Sequence, residues 1–515
     1  MPPIVGIDLG TTYCAVARLD ERGRPVMVPN RDGEILTPSA VYLTTTGQSV
    51  VGQPALDLSL EEPHNTATFI KRWMGKPQYE REVSGRTFRP ETLSAIILKK
   101  LMLDAERELG PIRDVVISVP AYFDDLRRKA TQDAGRIAGL NVLDLIDEPS
   151  AAALAYTFPT NPGAETLSDD PRTVLVYDLG GGTFDVSLVK LGKRRFQVLA
   201  IEGDSMLGGK DWDDLVMGFA AAAFTREHGD DPRDDPQSNA MLRASAERAK
   251  RTLSKIEHAR ITVAHNGKKM QVPIARREFD ELTAALLMRT KSCVHDVVEA
   301  ADVPWSQVHK ILMVGGSTHM TACAAMLRTL TGQEPDRSLA VSEVVARGAA
   351  VHAGIHVART QKAAGELSAV GHLADIVEIT VTAHSLGVEV RHGERRLNDR
   401  LILKNTQLPA AISRVYRTLK SNATKIRVRI LQGEAADAAA CIPVGECWVD
   451  ALPAGLPQAA PVQVRCSVGA DGLVEVTALD MTSGKTARTE LVRNSGLSDE
   501  EIGREADYLR SLDIQ

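Results

Sequence analysis

The sequence predicts an α/β protein that is followed by a small all-β region. Its 515 residues exceed what one hydrophobic core can organise, so two or more domains are expected. From residue 1 to about 360, short apolar runs alternate with helical patterns, which is typical of α/β architecture. After about residue 380, apolar residues recur at every second position, which predicts a β-sandwich.

The α/β region is predicted from buried strands, each followed by a turn with Gly, Pro or Asp, and from amphipathic helices. The strands are expected at Ile4–Ile7, Val115–Val119, Val174–Tyr177 and Ile311–Val314. Apolar residues at helical spacing predict two of the helices, and these residues are Leu93, Ile97, Leu101 and Ala105, then Leu242, Ala246, Ala249 and Leu253.

The all-β region and the segment before it carry different signals. From Ile426 to Ile430 apolar residues alternate with arginines, and hairpin turns are predicted at residues 470–472 and 482–485. The preceding polar segment leads into Asp375–Ile379, which is largely apolar. An apolar patch inside a linker predicts a segment that docks on a domain.

The composition excludes several classes of partner. The net charge is −6 and aromatic residues make up 4% of the chain, so a nucleic-acid surface is not expected. Asp8 interrupts the first apolar run, and no run reaches the roughly 18 residues that a membrane span needs. Six cysteines without a C-x-x-C pair fit a reducing compartment. A soluble cytoplasmic protein is therefore expected.

One motif occurs twice, at Gly6–Thr12 and at Val176–Thr183, and each copy is a strand, an Asp, a glycine turn and a Thr. Backbone N–H groups in such turns bind phosphate, and the Asp can hold Mg²⁺ through water. One copy could be a strand that leaves a turn, but two copies predict a nucleotide gripped from both sides. Asp8 and Asp178 are the expected magnesium ligands. The expected nucleotide contacts are Gly10, Thr11, Thr12, Tyr13, Gly180, Gly181, Gly182 and Thr183.

A third glycine turn and one polar helix face extend the predicted nucleotide site. The turn follows a buried strand and contains Gly315, Gly316 and Ser317. The residues on the helix face are Glu247, Lys250, Arg251 and Ser254. Arg251 could stack on a base while Lys250 and Glu247 contact a ribose. Alternatively, this face is solvated and carries only an ion pair between Glu247 and Arg251.

Together these segments resemble the seventy-kilodalton heat-shock chaperone family, the DnaK-like chaperones, and the resemblance covers nearly the whole chain in order. The matching segments are Ile7–Thr12, Val115–Phe123, Asp147–Tyr156, Asp178–Asp185, Leu207–Asp213, Gly315–Thr318, Ser385–Glu389 and Leu431–Glu434. The resemblance implies an actin-like two-lobed ATPase with ribonuclease-H-like lobes, a linker, a β-sandwich and the start of a helical lid. These parts are expected at residues 1–365, 366–380, 381–494 and 495–515.

The resemblance also implies a role for several residues. Lys71 approaches the γ-phosphate and the attacking water, and Glu148 completes the polar site with Asp8 and Asp178. Thr183 contacts the γ-phosphate. The expected allosteric residues are the switch proline Pro120 and the linker residues Asp375, Ile376, Val377, Glu378 and Ile379.

A peptide cleft in the β-sandwich is a further implication of the resemblance. The residues suited to it are Val388, Val390, Tyr416, Leu419, Ile426 and Val428. Their alternation is equally compatible with a plain sandwich core.

The chain departs from the family pattern at several positions. His319 stands where an arginine usually stacks on adenine, and Asp144 where an arginine contacts the J-domain co-chaperone. Ser342 replaces an aspartate near the nucleoside, Arg391 an apolar arch residue, and Glu378 a linker leucine. Because burying an unpaired acid is costly, linker docking should be weaker or need a cationic partner. The helix predicted from Ser498 is short, so without a long lid bound peptide should exchange fast.

The function that the resemblance implies is an ATP-dependent chaperone that uses ATP/ADP and Mg²⁺. Its partners would be unfolded client polypeptides, a J-domain co-chaperone and a nucleotide-exchange factor. Two alternatives are a small-metabolite kinase of the same ATPase superfamily and a nucleotide-binding scaffold with little turnover. The kinase would explain the two phosphate motifs but not the β-sandwich or the linker.

Overall fold

The computed structural model describes residues 3–157, 170–337, 340–366, 370–449, 452, 454–469, 474–484, 486–490 and 496–515, and it is a mixed α/β protein. The strands are β1 (Val5–Leu9), β2 (Tyr13–Leu19), β3 (Pro25–Val28), β4 (Thr37–Pro38), β5 (Val41–Leu43), β6 (Gln48–Val51), β7 (Thr66–Ala67), β8 (Asp114–Val119), β9 (Asn141–Asp147), β10 (Arg172–Leu179), β11 (Phe184–Gly192), β12 (Arg195–Asp204), β13 (His258–His265), β14 (Lys268–Ala275), β15 (Val308–Val314), β16 (Val377–Ile379), β17 (Leu386–His392), β18 (Arg395–Ile402), β19 (Ala410–Arg417), β20 (Ile426–Gln432), β21 (Ile442–Val449), β22 (Pro461–Val468), β23 (Val474–Asp480), β24 (Thr486–Glu490) and β25 (Asp513–Ile514). The helices are α1 (Gln53–Leu58), α2 (Pro90–Leu109), α3 (Asp125–Ile137), α4 (Glu148–Thr157), α5 (Gly209–His228), α6 (Pro236–Leu253), α7 (Arg276–Ala300), α8 (Thr321–Thr331), α9 (Val344–Ala364) and α10 (Asp499–Ser511).

Short polar side chains start several of the helices. The Asp124 carboxylate accepts the Arg127 N–H at 2.9 Å at the start of α3. Asp235 does the same for Ser238 at 2.7 Å, and Pro236 supplies the fixed backbone torsion at the first position of α6. Each cap satisfies one of the four N–H groups that a helix start leaves without an intrahelical partner.

Two sheets of the α/β region share the connectivity of four strands, and the fifth strand is added at opposite ends. The first has the strand order β3-β2-β1-β8-β9, and the second has the order β15-β10-β11-β12-β16. In the first sheet β1 is antiparallel to β2 and parallel to β8, and in the second β10 is antiparallel to β11 and parallel to β15. The motif that occurs twice in the sequence therefore occupies equivalent central strands.

Helices α4 and α9 pack between the two sheets. One apolar cluster joins Val116 of β8, Val176 of β10, Ala152 of α4 and Val351 of α9. The two helices cross closely, because a Cβ on Gly348 would lie 1.8 Å from the Ala151 carbonyl oxygen. Strands β8 and β10, one from each sheet, therefore share one core with α4 and α9.

The C-terminal all-β part consists of two antiparallel sheets over a common core. Their strand orders are β18-β17-β20-β21 and β19-β22-β23-β24. Val388 and Ile430 from the first sheet and Val464 and Val476 from the second belong to one apolar cluster. The turn predicted at residues 470–472 lies outside the described residues, as does Lys485 of the other one.

The last elements pack against the α/β region. Ser498 caps α10, and Leu497, Ile502 and Leu509 are buried in the core that contains α2. The guanidinium of Arg86 lies 3.9 Å from the ring centre of Tyr508. β25 then pairs in parallel with β6. The segment that was expected to begin a lid over the β-sandwich thus lies on the α/β region.

Among the described helices, none has both the length and the apolar character required to cross a bilayer.

Candidate functional site

The glycine turns after β1 and β10 face each other across one cavity of about 1170 Å³. Nearly all residues that were expected to bind nucleotide line it. They are Asp8, Gly10, Thr11, Thr12, Tyr13, Lys71, Glu148, Asp178, Gly180, Gly181, Thr183, Glu247, Lys250, Arg251, Ser254, Gly315, Gly316, Ser317 and His319, with Ser342 beside them. Gly182 is outside this lining, and its carbonyl accepts a hydrogen bond from Arg72 Nε at 2.9 Å.

The two turns are in direct contact, and only glycine fits at their meeting point. A Cβ on Gly181 would lie 2.5 Å from Thr12, and one on Gly182 would lie 2.4 Å from Thr11. Any side chain at these positions would push the two sheets apart. Opposed turns of this kind present backbone N–H groups from two directions to the same anion.

Three carboxylates lie at the floor of the cavity. Asp8 accepts a hydrogen bond from Ser118 Oγ at 2.9 Å, but burial and the charge of Glu148 raise the pKa of Asp8 to about 7. Burial and the neighbouring Glu148 and Asp185 also raise the pKa of Asp178 well above its ordinary value. These shifts show that the ionised carboxylates are buried and repel one another, and a divalent ion would favour their ionised forms.

Lys71 is the cation of this cluster. It lies in the 3₁₀ helix Ile70–Trp73, directly after Phe69, whose backbone is left-handed with φ of 54°. Its ammonium is paired with Glu148, the first residue of α4. Burial favours the neutral amine, but Glu148 and Asp8 outweigh it and raise the pKa of Lys71. The side chain is therefore a fixed positive charge at the edge of the cavity.

The polar face of α6 lines the other end of the cavity, and both interpretations of it have support. Arg251 donates to the Tyr13 hydroxyl at 3.1 Å and pairs with Glu247 at 2.6 Å, as in the ion-pair interpretation. The ammonium of Lys250 is bound by the Gly209 carbonyl at 2.9 Å and by Asp213 at 2.8 Å. Lys250 therefore holds the start of α5 in place while it also borders the cavity.

Sequence reasoning assigned no role to Arg72 or Asp185. Arg72 is buried and joins the Gly182 carbonyl to Asp211 of α5. Asp185 is buried at the start of β11 and accepts the Tyr122 N–H at 2.9 Å. Only weak signals in the sequence point to a role for them. Arg72 directly follows Lys71, and Asp185 is the last residue of the second phosphate motif.

The segment after Pro120 connects the cavity to the C-terminal sheets. Pro120 follows β8, and its carbonyl accepts the Phe123 N–H at 3.1 Å. Near it, Tyr122 contacts two residues of the all-β part and Asp185, whose charge acts on Asp178 in the cavity. The Tyr122 carbonyl lies 3.0 Å from His384 Nε2, and its hydroxyl accepts from Lys404 at 3.3 Å. A change at Asp185 thus has a short route of direct contacts to the β-sheets.

Five of the six residues suited to a peptide cleft share the core of the two C-terminal sheets. Val388 and Val428 are fully buried in it, and Val390, Tyr416 and Ile426 pack against it. Leu419 is 58% exposed and lies outside this core. The structure therefore does not bring all six together, and the buried members serve as core in this conformation.

Of the linker residues, Val377, Glu378 and Ile379 form β16 beside β12, and Ile376 is buried in the core between the sheets. Asp375 is exposed and pairs with Lys362 at 2.8 Å. The sequence predicted that docking would be weaker or would need a cationic partner for Glu378, and His352 and Arg359 are within ion-pair distance of it.

No cluster of three or more His, Cys, Asp or Glu side chains among the described residues is arranged to hold a metal by itself. The two carboxylates Asp8 and Asp178 nonetheless fit a magnesium ion that keeps most of its water or binds phosphate, because Mg²⁺ usually takes only one or two protein carboxylates.

Comparison with known families identifies the chain. A family model described as Hsp70 protein matches residues 4–84 and 75–508, which is nearly the whole sequence. The match includes both phosphate motifs, the linker and the two C-terminal sheets. The chain therefore belongs to the Hsp70 family.

Proposed function

We propose that this chain is a chaperone in which hydrolysis of Mg-ATP controls the binding and release of extended apolar polypeptide segments. Members of the Hsp70 family are ATPases and chaperones that bind ATP or ADP with magnesium. In this proposal the two sheets with shared connectivity form an actin-like two-lobed ATPase over residues 1–365. Residues 381–494 form a β-sandwich that binds the client.

The observation that carries the proposal is the direct contact of two phosphate-type turns beside one cavity that contains buried carboxylates and the buried Lys71, which is paired with Glu148. A nucleotide held there would touch both sheets. Loss of its terminal phosphate would remove contacts to one turn or the other, so the separation of the sheets would depend on the nucleotide.

Asp8 and Asp178 would hold the magnesium ion, which would neutralise phosphate charge. The remaining residues position and stabilise: Lys71 offers a fixed positive charge, and Thr183 a hydroxyl for the γ-phosphate. Glu148 orients Lys71 through their ion pair. Phosphoryl transfer to water depends mainly on positioning and on charge stabilisation, and these groups supply both.

The partners follow from the same proposal. Hsp70 proteins typically bind client polypeptides, J-domain co-chaperones and exchange factors. Extended clients would occupy the C-terminal sheets once these open around Val388, Ile426 and Val428. A J-domain partner of this chain would have to accept an acid at Asp144, so its contact surface should differ in charge from that of ordinary co-chaperones.

Basal and peptide-stimulated ATP hydrolysis by the purified chain tests the proposal. Extended apolar peptides should raise the turnover, and Mg-ATP should accelerate release of a labelled peptide. Phosphate transfer to a small metabolite, or tight nucleotide binding without any peptide effect, would contradict it.

A further inference from the structure

The linker strand β16 contains one acidic residue, Glu378, whose side chain is largely buried. It pairs in parallel with β12, with Glu378 opposite Phe196. The Val377 N–H donates to the Arg194 carbonyl at 2.8 Å. The Glu378 side chain is only 18% exposed and is directed at α9, where His352 and Arg359 contact it. Docking of this strand therefore requires a partner for the Glu378 charge.

His352 is that partner, and it lies between two carboxylates. Its Nδ1 is 2.7 Å from Glu378 Oε1, and its Nε2 is 2.9 Å from Asp144 Oδ2. An ionised carboxylate only accepts hydrogen bonds, so both ring nitrogens must donate, and only the imidazolium form does so. The geometry thus specifies a charged His352, with 14% of its side chain exposed.

The two carboxylates belong to different sheets. Asp144 lies on β9, the edge strand of the first sheet, and Glu378 lies on β16, the edge strand of the second. A single imidazolium therefore ties the outer edges of both sheets to α9. Both hydrogen bonds can form together only when the sheets hold this separation.

Arg359 completes the arrangement from about two helical turns further along α9. One guanidinium nitrogen lies 3.3 Å from Glu378 Oε2, and another donates to the Ile376 carbonyl at 2.6 Å. Arg359 thus binds both the backbone of the linker and its acidic side chain.

We propose that protonated His352 is a positioning residue that latches the linker, and that it makes linker docking depend on the relative position of the two sheets. The consequence for ATP-driven coupling rests on the proposed function, whereas the docking itself does not. The acids at 144 and 378 that depart from the family pattern are explained together, because each supplies one side of the same bridge.

The latch should weaken at high pH. Burial favours neutral His352, but Glu378 and Asp144 outweigh it and raise its pKa from 6.5 to about 10. Asp147 on β9 and Arg359 and His356 on α9 are the other charged or titratable groups in its electrostatic surroundings. A raised histidine pKa contributes its full stability below about pH 6.5, and this contribution is lost as the pH rises towards 10.

Hydrogen exchange of the linker in the full chain tests the latch, with and without saturating Mg-ATP. In the condition where wild-type residues 376–379 are best protected, His352→Gln should speed their exchange by about 10- to 100-fold, because Glu378 loses its buried charge partner. Asp375→Asn is the matched control. It removes an acid from the same segment, but this carboxylate is 43% exposed, so exchange should stay within about twofold of wild type.

Two further measurements distinguish a latch that depends on the charge of His352 from one that depends only on its packing. In the double variant with Glu378→Gln, exchange should be no faster than in either single variant, because both changes break one interaction. From pH 7 to 9.5, linker protection corrected for intrinsic exchange should fall in wild type and stay flat in His352→Gln. The latch would be wrong if the two substitutions multiplied each other's effect on the exchange rate. It would also be wrong if wild type and His352→Gln showed the same dependence of linker protection on pH.

The outcome also distinguishes the latch from the proposed function. If His352→Gln leaves linker exchange within twofold of wild type while ATP binds and peptide stimulates hydrolysis, the latch is wrong and the chaperone proposal stands. If the linker loosens as described but the chain neither binds nor hydrolyses ATP, the latch stands and the proposed function fails.

Discussion

At the scale of single residues, the candidate site contains several buried ionisable side chains, whose charges a bound ligand would help to compensate. Asp8, Glu148 and Asp178 repel one another in a cavity where Lys71 is paired with Glu148. Such an arrangement costs stability in the empty protein and favours a ligand that brings a divalent cation to these carboxylates. It is the pattern expected where function, and not folding, selects the residues.

Lys71→Ala tests the role of that cation. Hydrolysis of ATP should fall by roughly 10²- to 10³-fold, because a fixed charge near the transferring phosphoryl group is lost, while nucleotide still binds. Single-turnover hydrolysis and a separate titration of nucleotide measure the two effects. Lys76→Ala removes an exposed lysine of the next turn and should behave as wild type. Turnover of Lys71→Ala within about threefold of wild type would contradict the assignment.

Gly181→Ala tests the contact between the two turns. Its new methyl group would lie 2.5 Å from Thr12, so the turns must separate, and nucleotide affinity should fall by at least ~10-fold. Gly218→Ala in α5 is the control, since its Cβ meets no atom within 4 Å. That variant should bind nucleotide normally and gain up to about 1 kcal/mol of stability. Normal affinity in Gly181→Ala, measured by calorimetry, would show that the turns do not act together.

At the scale of elements, the last helix does not pack on the β-sheets that precede it in the sequence. α10 has a clear capping signal in the sequence, yet its apolar face is complementary to α2 and α3 and not to the neighbouring β-sheets. The parallel pairing of β25 with β6 fixes the segment further. β6 leads directly into Gly52 and Gln53, which line the cavity of the candidate site.

Leu509→Ala should release α10 from the N-terminal domain. Leu509 is 5% exposed, and truncating a buried leucine costs about 2–5 kcal/mol, most of which should appear as local opening of this short element. Hydrogen exchange over residues 499–511 gives the measurement, and the exposed neighbour change Arg510→Ala is the control. Unchanged protection in Leu509→Ala would mean that α10 does not depend on this core.

At the scale of the whole molecule, the C-terminal sheets are held against the second sheet by a small polar interface. Lys404 pairs with Glu202 of β12 and donates to the Tyr122 hydroxyl, and Asn405 accepts the Ile201 N–H at 2.9 Å. An interface that depends on a few partly buried polar contacts can open and close more readily than an apolar core.

Lys404→Gln should shift the molecule towards an open arrangement. Glu202 would keep its charge without a cation, which disfavours the docked state, so the radius of gyration in small-angle scattering should rise. Peptide stimulation of hydrolysis should fall at the same time. Lys420→Gln changes an exposed lysine of the same part and should alter neither quantity. Scattering identical to wild type for Lys404→Gln would show that this contact does not hold the sheets.

The features of the candidate site that could be predicted from the sequence are those that depend on neighbouring residues. The glycine turns and Asp8 and Asp178, which line one cavity, could be predicted because each motif is contiguous, and a strand, an acid and a glycine turn fix their own geometry. Arg72 was not assigned, since its partners Gly182 and Asp211 are more than a hundred residues away along the chain. The pairing of Asp144 with Glu378 through His352 was equally invisible, because each acid alone is only an exception to a family pattern.

By itself, the sequence determined the α/β and all-β regions, the duplicated turn and the family, since periodicity and short motifs depend on neighbouring residues. Only the tertiary structure decided that α10 packs on the N-terminal domain, that Leu419 lies outside the C-terminal core, and that one histidine bonds acids from two sheets. These are contacts between segments far apart in the chain, and their free energy depends on burial and distance, which no local pattern encodes.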